Sequence, residues 1–172
     1  SEDQESALLD LFAKFKAPSN GVDIARGFLK SFFDATIDKA RARIPLLSQL
    51  IDNGFFKNDD FTKALSKQLN KMYEISCDFP ECEDTFSRVL LETFNTNLDF
   101  KFAGIALPDD VETSEEGEFI VDFHKEMLTA LMNNLYQSEG AYHDLSTVIK
   151  EDDLKAYSNK IKFEDWDDLR GK

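Results

Sequence analysis

Apolar residues recur every three or four positions along most of the chain, the spacing that gathers them on one face of an α-helix. Leu8, Leu11, Phe12 and Phe15 form the first such set, and Pro18-Ser19-Asn20-Gly21 breaks it. Ala25, Phe28, Leu29, Phe32 and Phe33 predict a second helix. Leu46, Leu47, Leu50 and Ile51 predict a third, with Pro45 near its first turn and Asn53-Gly54 as its stop. A fourth is predicted to start at Asn58 as its cap and to carry Phe61, Leu65, Leu69, Met72 and Tyr73. Asp78-Phe79-Pro80-Glu81 reads as another start, because an aspartate can accept from the free N–H groups, an early proline pre-sets φ, and a glutamate three residues on reaches back.

Phe86, Val89, Leu90 and Phe94 mark the helix behind that start, and residues 98–106 read as a short sixth. A charged loop around Pro108 spans 107–117. Ile120, Phe123, Met127, Leu131 and Leu135 give the longest helix, with Gly140 just past its end. Two short helices are predicted over 142–149 and 152–157. Helices of roughly 10–20 residues joined by short turns, with no alternating strand pattern, predict an all-α fold of antiparallel helix pairs. Helix and turn repeat without an exact sequence repeat, which points to a HEAT-like stack. The stack takes residues 1–159, and 160–172 form an acidic-aromatic tail.

The composition fits a packed domain: of 172 residues, 42% are hydrophobic and 12% aromatic, with sixteen phenylalanines to fill a core. The charge is lopsided, with 34 acidic against 20 basic side chains and a net charge of −14. Such a surface repels phosphate backbones, so direct nucleic-acid binding is not expected. It suits a partner with a basic face, since long-range attraction raises encounter rates, and it also serves plain solubility.

Candidate chemistry is sparse. Cys77 and Cys82 are too far apart for a C-x-x-C pair and too few for a disulfide framework, so both read as reduced thiols. No apolar leader opens the sequence and no apolar run reaches about eighteen residues, so neither secretion nor membrane insertion is expected. His124 and His143 lack metal-ligand spacing and read as surface or cap residues. No G-x-S-x-G, P-loop or G-x-G-x-x-G occurs, and an enzyme, a cofactor and a metal are not expected. Residues 54–61 copy the second half of an EF-hand loop, but the first and third ligand places fall on Gln49 and Ile51, and isoleucine offers calcium no oxygen.

Residues 46–94 carry a leucine pair, a glycine turn, an aromatic-led helix, a D-[apolar]-P step at Asp78-Phe79-Pro80, and a further helix. In that order and spacing they resemble the core of the MI (MA-three) domain. Residues 28–43 resemble the helix pair that precedes this core in the family, and 117–137 the long helix that follows it. Only one helix precedes Pro18, so the family's first helix reads as missing or reduced, and Cys77 stands where leucine is usual. The resemblance implies a cytoplasmic module that binds the DEAD-box RNA helicase of translation initiation, factor four-A. Members include the initiation scaffold factor four gamma and the repressor programmed-cell-death four. Carried over residue by residue, the contact positions fall on Asp34, Glu74, Asp78 and Pro80. Carboxylates accept paired hydrogen bonds from arginine, which makes an acidic edge a fit for the helicase's cationic surfaces.

Three readings stay open: a scaffold module that docks the helicase, a repressor that competes with RNA for it, and a structural helical-repeat domain in RNA processing or ribosome assembly. For Asp78 a cap role stands beside the contact role, and for Asp34 and Glu74 a solvated helix face does. In the tail, Ile161, Phe163, Trp166 and Leu169 alternate with Glu164, Asp165, Asp167 and Asp168. Phe163 and Trp166 read as a second docking element, or Trp166 folds back on the domain's own core.

Overall fold

A computed structural model describes residues 21–31, 37–76, 78–79, 82–93, 98–137 and 151–164. Among them every regular element is helical, and no strand occurs. In chain order these are α1 (Gly21–Lys30), α2 (Ile37–Arg43), α3 (Pro45–Asp52), α4 (Asn58–Leu69), α5 (Met72–Ile75), α6 (Cys82–Thr93), a 3-10 turn at Phe102–Gly104, α7 (Gly117–Gln137) and α8 (Glu151–Lys160). The helices proposed from Leu8–Phe15 and over 142–149 lie outside the described residues.

The third predicted helix forms as read. Pro45 occupies its first turn, where a missing N–H costs nothing. Its end is closed by Gly54, whose φ of 74° belongs to the left-handed region that a side chain disfavours. The Gly54 N–H donates to the Ile51 carbonyl at 3.0 Å and the Phe55 N–H to the Leu50 carbonyl at 2.9 Å. That paired closure satisfies two helix-end carbonyls and turns Phe55 and Phe56 into the core.

Three local expectations are corrected. Lys57, not Asn58, flanks α4, and the Asp60 carboxylate accepts the Lys57 N–H at 2.9 Å. Asn58 is spent elsewhere: its Oδ1 accepts the Asp99 N–H at 3.0 Å. The fourth helix also stops at Leu69, and α5 is a separate turn of helix after Asn70 and Lys71. The short helix expected over 98–106 reduces to the 3-10 turn at Phe102–Gly104, because Leu98, Phe100 and Phe102 are buried in alternation with exposed Asp99 and Lys101. A period of two is an extended segment's pattern.

The core draws on α1, α3, α4, α5, α6, the 3-10 turn, α7 and α8. α1 buries Ile24, Ala25, Phe28 and Leu29 and packs along α4, which buries Phe61, Ala64, Leu65 and Leu69. α6 buries Phe86, Val89 and Leu90 against α7, which supplies Phe123, Met127, Leu128 and Leu131. Of these two packed pairs, α1 and α4 are separated in the chain by α2 and α3, whereas α6 and α7 follow one another with the 3-10 turn between them. Rings run in series through the interior, with centroids 6.2 Å apart for Phe56–Phe61, 5.1 Å for Phe61–Phe100, 5.2 Å for Phe100–Phe102 and 6.0 Å for Phe102–Tyr157. Four of the sixteen phenylalanines thus join Tyr157 in one run of mostly tilted rings, a geometry that aromatic quadrupoles favour.

α8 is tied to the 3-10 turn from both ends. The Phe102 and Ala103 N–H groups donate to the two Asp153 carboxylate oxygens at 2.8 and 2.9 Å. Seven residues on, the Lys160 ammonium donates to the Ala103 and Ile105 carbonyls at 2.5 and 2.8 Å. An anion on the free N–H groups and a cation on the free carbonyls satisfy both ends of a turn too short to satisfy itself.

Candidate functional site

Glu74 lies in α5 and Asp78 in the turn behind it, both exposed. Because α4 stops at Leu69 and α5 at Ile75, no continuous helix carries Glu74 and Asp78. The Asp78 and Phe79 N–H groups instead donate to the Ile75 carbonyl at 3.0 and 3.1 Å, and the Cys82 N–H to the Phe79 carbonyl at 3.2 Å. Tight turning keeps Glu74 and Asp78 on one short surface segment. α6 is described from Cys82, and residues 80 and 81 before it lie outside the described residues. Phe79 is 43% exposed on this segment. Asp34, Pro80 and Trp166 lie outside the described residues. Phe163 is half-buried against the domain's own core, its N–H donating to the Ser158 carbonyl at 2.8 Å.

Beside Glu74 the surface opens into a groove of about 420 Å³ between α5 and α7. Tyr73, Glu74 and Ser76 form one wall, and Phe119, Asp122, Phe123 and Glu126 the other. The α7 residues fall at helical spacings of three and four, so they make one stripe along that helix. Phe123 is buried at the base, whereas Phe119 stands 61% exposed at the rim. The Phe119 and Tyr73 rings lie nearly parallel, at 14°, with centroids 6.4 Å apart.

The groove is strongly electronegative. Tyr73 donates its hydroxyl to Glu74 Oε1 at 3.1 Å. Desolvation, that hydrogen bond, and the charges of Glu74 and Glu116 all raise the phenol above its ordinary value. The Glu126 carboxyl is raised too, by desolvation and then by the neighbouring Glu83 and Asp122 charges. Among the described residues no lysine or arginine comes within ion-pair distance of Glu74, Asp78, Asp122 or Glu126. Glu126 also borders a second groove of about 810 Å³, where Lys125, Lys162 and Phe163 face Glu83, Asp84 and Glu164.

Sequence reasoning found Glu74 but missed Phe119, Asp122 and Glu126. The signal was faint: Phe119 lies four residues before Phe123, at the edge of the apolar face that Ile120, Met127 and Leu131 centre, and it is left exposed.

His124, expected at the surface, is instead completely buried. Its Nδ1 lies 2.6 Å from the Tyr157 hydroxyl and its Nε2 2.8 Å from Asn70 Oδ1. Asn70 uses its amide N–H to donate to the Ala106 carbonyl at 3.0 Å, which leaves Oδ1 as the acceptor. Nε2 therefore carries the imidazole proton and Nδ1 accepts from Tyr157. Burial lowers the His124 pKa to about 4 and raises the Tyr157 phenol far above its ordinary value, so both are neutral near pH 7.

Among the described residues no group of three or more histidine, cysteine or carboxylate side chains could hold a metal ion. No helix of the described residues is long and apolar enough to cross a membrane. Cys82 is a buried free thiol, pushed up to about 11 by burial and by the Glu83 and Glu126 charges. The pattern joins exposed carboxylates to the exposed Phe119 and Phe79 rings, chemistry that suits a cation-bearing surface. Comparison with protein-family models, with curated proteins and with solved structures finds no match to this chain.

Proposed function

We propose that this chain is a protein-interaction module that docks a basic partner on the surface around Glu74 and Asp78. The observation that carries this reading is the set of exposed carboxylates, Glu74, Asp78, Asp122 and Glu126, without a cationic partner among the described residues, beside the exposed Phe119 and Phe79 rings. Carboxylates held without cations of their own are ready to pair with those of another protein, and a nearby apolar patch supplies area that charge alone does not.

The charge pattern favours a basic partner of any kind, and the resemblance to the MI domain supplies the particular one: the DEAD-box helicase of translation initiation, met in the cytoplasm. In that reading the helices stack in the HEAT-like manner, Asp34 and Pro80 join Glu74 and Asp78 in the contact, and the chain serves an initiation scaffold. A repressor that competes with RNA for the same helicase would use the same surface.

Affinity capture from cell extract, followed by mass spectrometry, tests the reading. The wild-type chain should enrich the helicase, and a Glu74→Lys, Asp78→Lys double variant with an unchanged circular dichroism spectrum should lose it. Capture that never contains the helicase, or that survives the charge reversal, removes the proposal and favours a structural helical-repeat role. An unwinding assay then separates the two consequences: a scaffold module leaves the helicase unaffected or faster, a repressor slows it.

A further inference from the structure

The groove beside Glu74 has features that a merely acidic surface lacks. Its floor and rim are aromatic, from buried Phe123 to the exposed Phe119 ring lying nearly parallel to Tyr73. Its carboxylates are spread along the walls, Glu74 on α5 and Asp122 and Glu126 one turn apart on α7. They form no cluster that could close around one metal ion. A volume of about 420 Å³ admits a side chain with its flanking residues rather than a folded surface. The occupant must therefore be cationic, flat enough to lie on a ring face, and able to donate in several directions at once.

We propose that this groove holds an arginine side chain presented by a basic, partly apolar segment of a partner protein. Its guanidinium lies against the Tyr73–Phe119 ring pair and donates to Glu74, Asp122 and Glu126. Guanidinium suits this site better than ammonium, because it is planar, sheds water more readily, stacks on aromatic faces and offers five fixed donors. A leucine-sized neighbour in the same segment covers the exposed part of Phe119, which otherwise faces water. The inference rests on the reading of the chain as a binder of basic partners, but not on the helicase being that partner.

The test uses three short labelled peptides of repeated Gly-Arg-Leu, Gly-Lys-Leu and Gly-citrulline-Leu, titrated into the full chain at physiological salt. The arginine peptide should bind at least fivefold tighter than the lysine peptide, and the citrulline peptide, alike in shape but uncharged, should not bind measurably. Phe119→Ala, Phe119→Leu and Glu126→Gln should each weaken the arginine peptide at least threefold, whereas Asp109→Asn, outside the groove's lining, should not. Because Phe119 is mostly solvent-exposed, its variants should melt with the wild type, and Phe119→Leu keeps apolar bulk while removing the ring. Equal binding of the arginine and lysine peptides, or indifference to both Phe119 variants, overturns the proposal and leaves only diffuse attraction. If the arginine peptide binds as expected but the helicase does not, the groove stands and the helicase identification falls. If the helicase binds and the peptides show no preference, the groove alone falls.

Discussion

Nδ1 of His124 and the hydroxyl of Tyr157 lie 2.6 Å apart in the interior, joining the long helix α7 to the last described helix α8. Through Nε2 the same imidazole reaches Asn70 at the end of α4, and Asn70 passes the link to the Ala106 carbonyl. One neutral ring therefore fixes the relative placement of three segments far apart in sequence. It sits on the face of α7 turned away from the groove residues Phe119, Asp122 and Glu126, so it sets where that helix lies without touching a ligand.

Tyr157→Phe tests the link. The substitution keeps the ring but leaves Nδ1 of a buried histidine with no donor, a loss of about 1–3 kcal/mol. The melting temperature should fall by about 3–10 °C, read by circular dichroism, while peptide binding at the groove changes little. A shift below about 1 °C would mean that the buried network contributes nothing net.

The same ring makes stability depend on pH. His124 has a folded pKa of about 4 against 6.5 for the free side chain. Between those values the unfolded chain takes up a proton that the folded chain refuses, so stability falls as pH drops from 6.5 and levels off below 4. The full difference is about 3 kcal/mol at most. Denaturant titrations from pH 7 to pH 4 should show a steeper loss for the wild type than for His124→Gln; parallel curves would contradict the assignment.

Asp153→Ala should loosen the 3-10 turn, since the Phe102 and Ala103 N–H groups lose both of their acceptors. Hydrogen exchange at these two amides should speed up at least tenfold, with a global destabilisation of about 1–3 kcal/mol. Unchanged exchange there would show that the turn is held by packing alone.

Cys82 should be a poor nucleophile. A thiol pushed up to about 11, buried and faced by Glu83 and Glu126, holds little thiolate near pH 7. In a Cys77→Ser background, alkylation by iodoacetamide should run at least about a hundredfold slower than for free cysteine. Labelling at the rate of free cysteine would show that the α6 start opens readily.

Much of the fold was legible, and the exceptions have local causes. The apolar rhythm of Phe28 and Leu29, and of Ile120 to Leu131, announced α1 and α7, and Asn53-Gly54 announced a helix end that only a left-handed residue can close. The break at Asn70-Lys71 carried no glycine or proline, because Asn70 is drawn out of the helix by partners 36 and 54 residues away. Asn58 was misread for the same reason, its side chain being claimed by Asp99. Leu98, Phe100 and Phe102 alternate with Asp99 and Lys101, a period of two that outweighs helix spacing over so short a run. His124 lies four residues from Ile120 and three from Met127, so its place on the apolar face was readable, but its partners on two other elements were not. In the candidate site, Glu74 and Asp78 came from a resemblance, whereas the aromatic half of the groove required the fold that brings α5 against α7.

The central claim is that exposed carboxylates at the α5–α6 junction take a basic partner, with the initiation helicase as the particular one proposed. Calorimetric titration of the purified helicase with the wild-type chain and with Asp78→Ala tests it most directly. Saturable binding that weakens at least tenfold in Asp78→Ala, with the variant's melting temperature nearly unchanged, is the predicted result. Absence of binding by the wild-type chain, or equal binding by the variant, would contradict it.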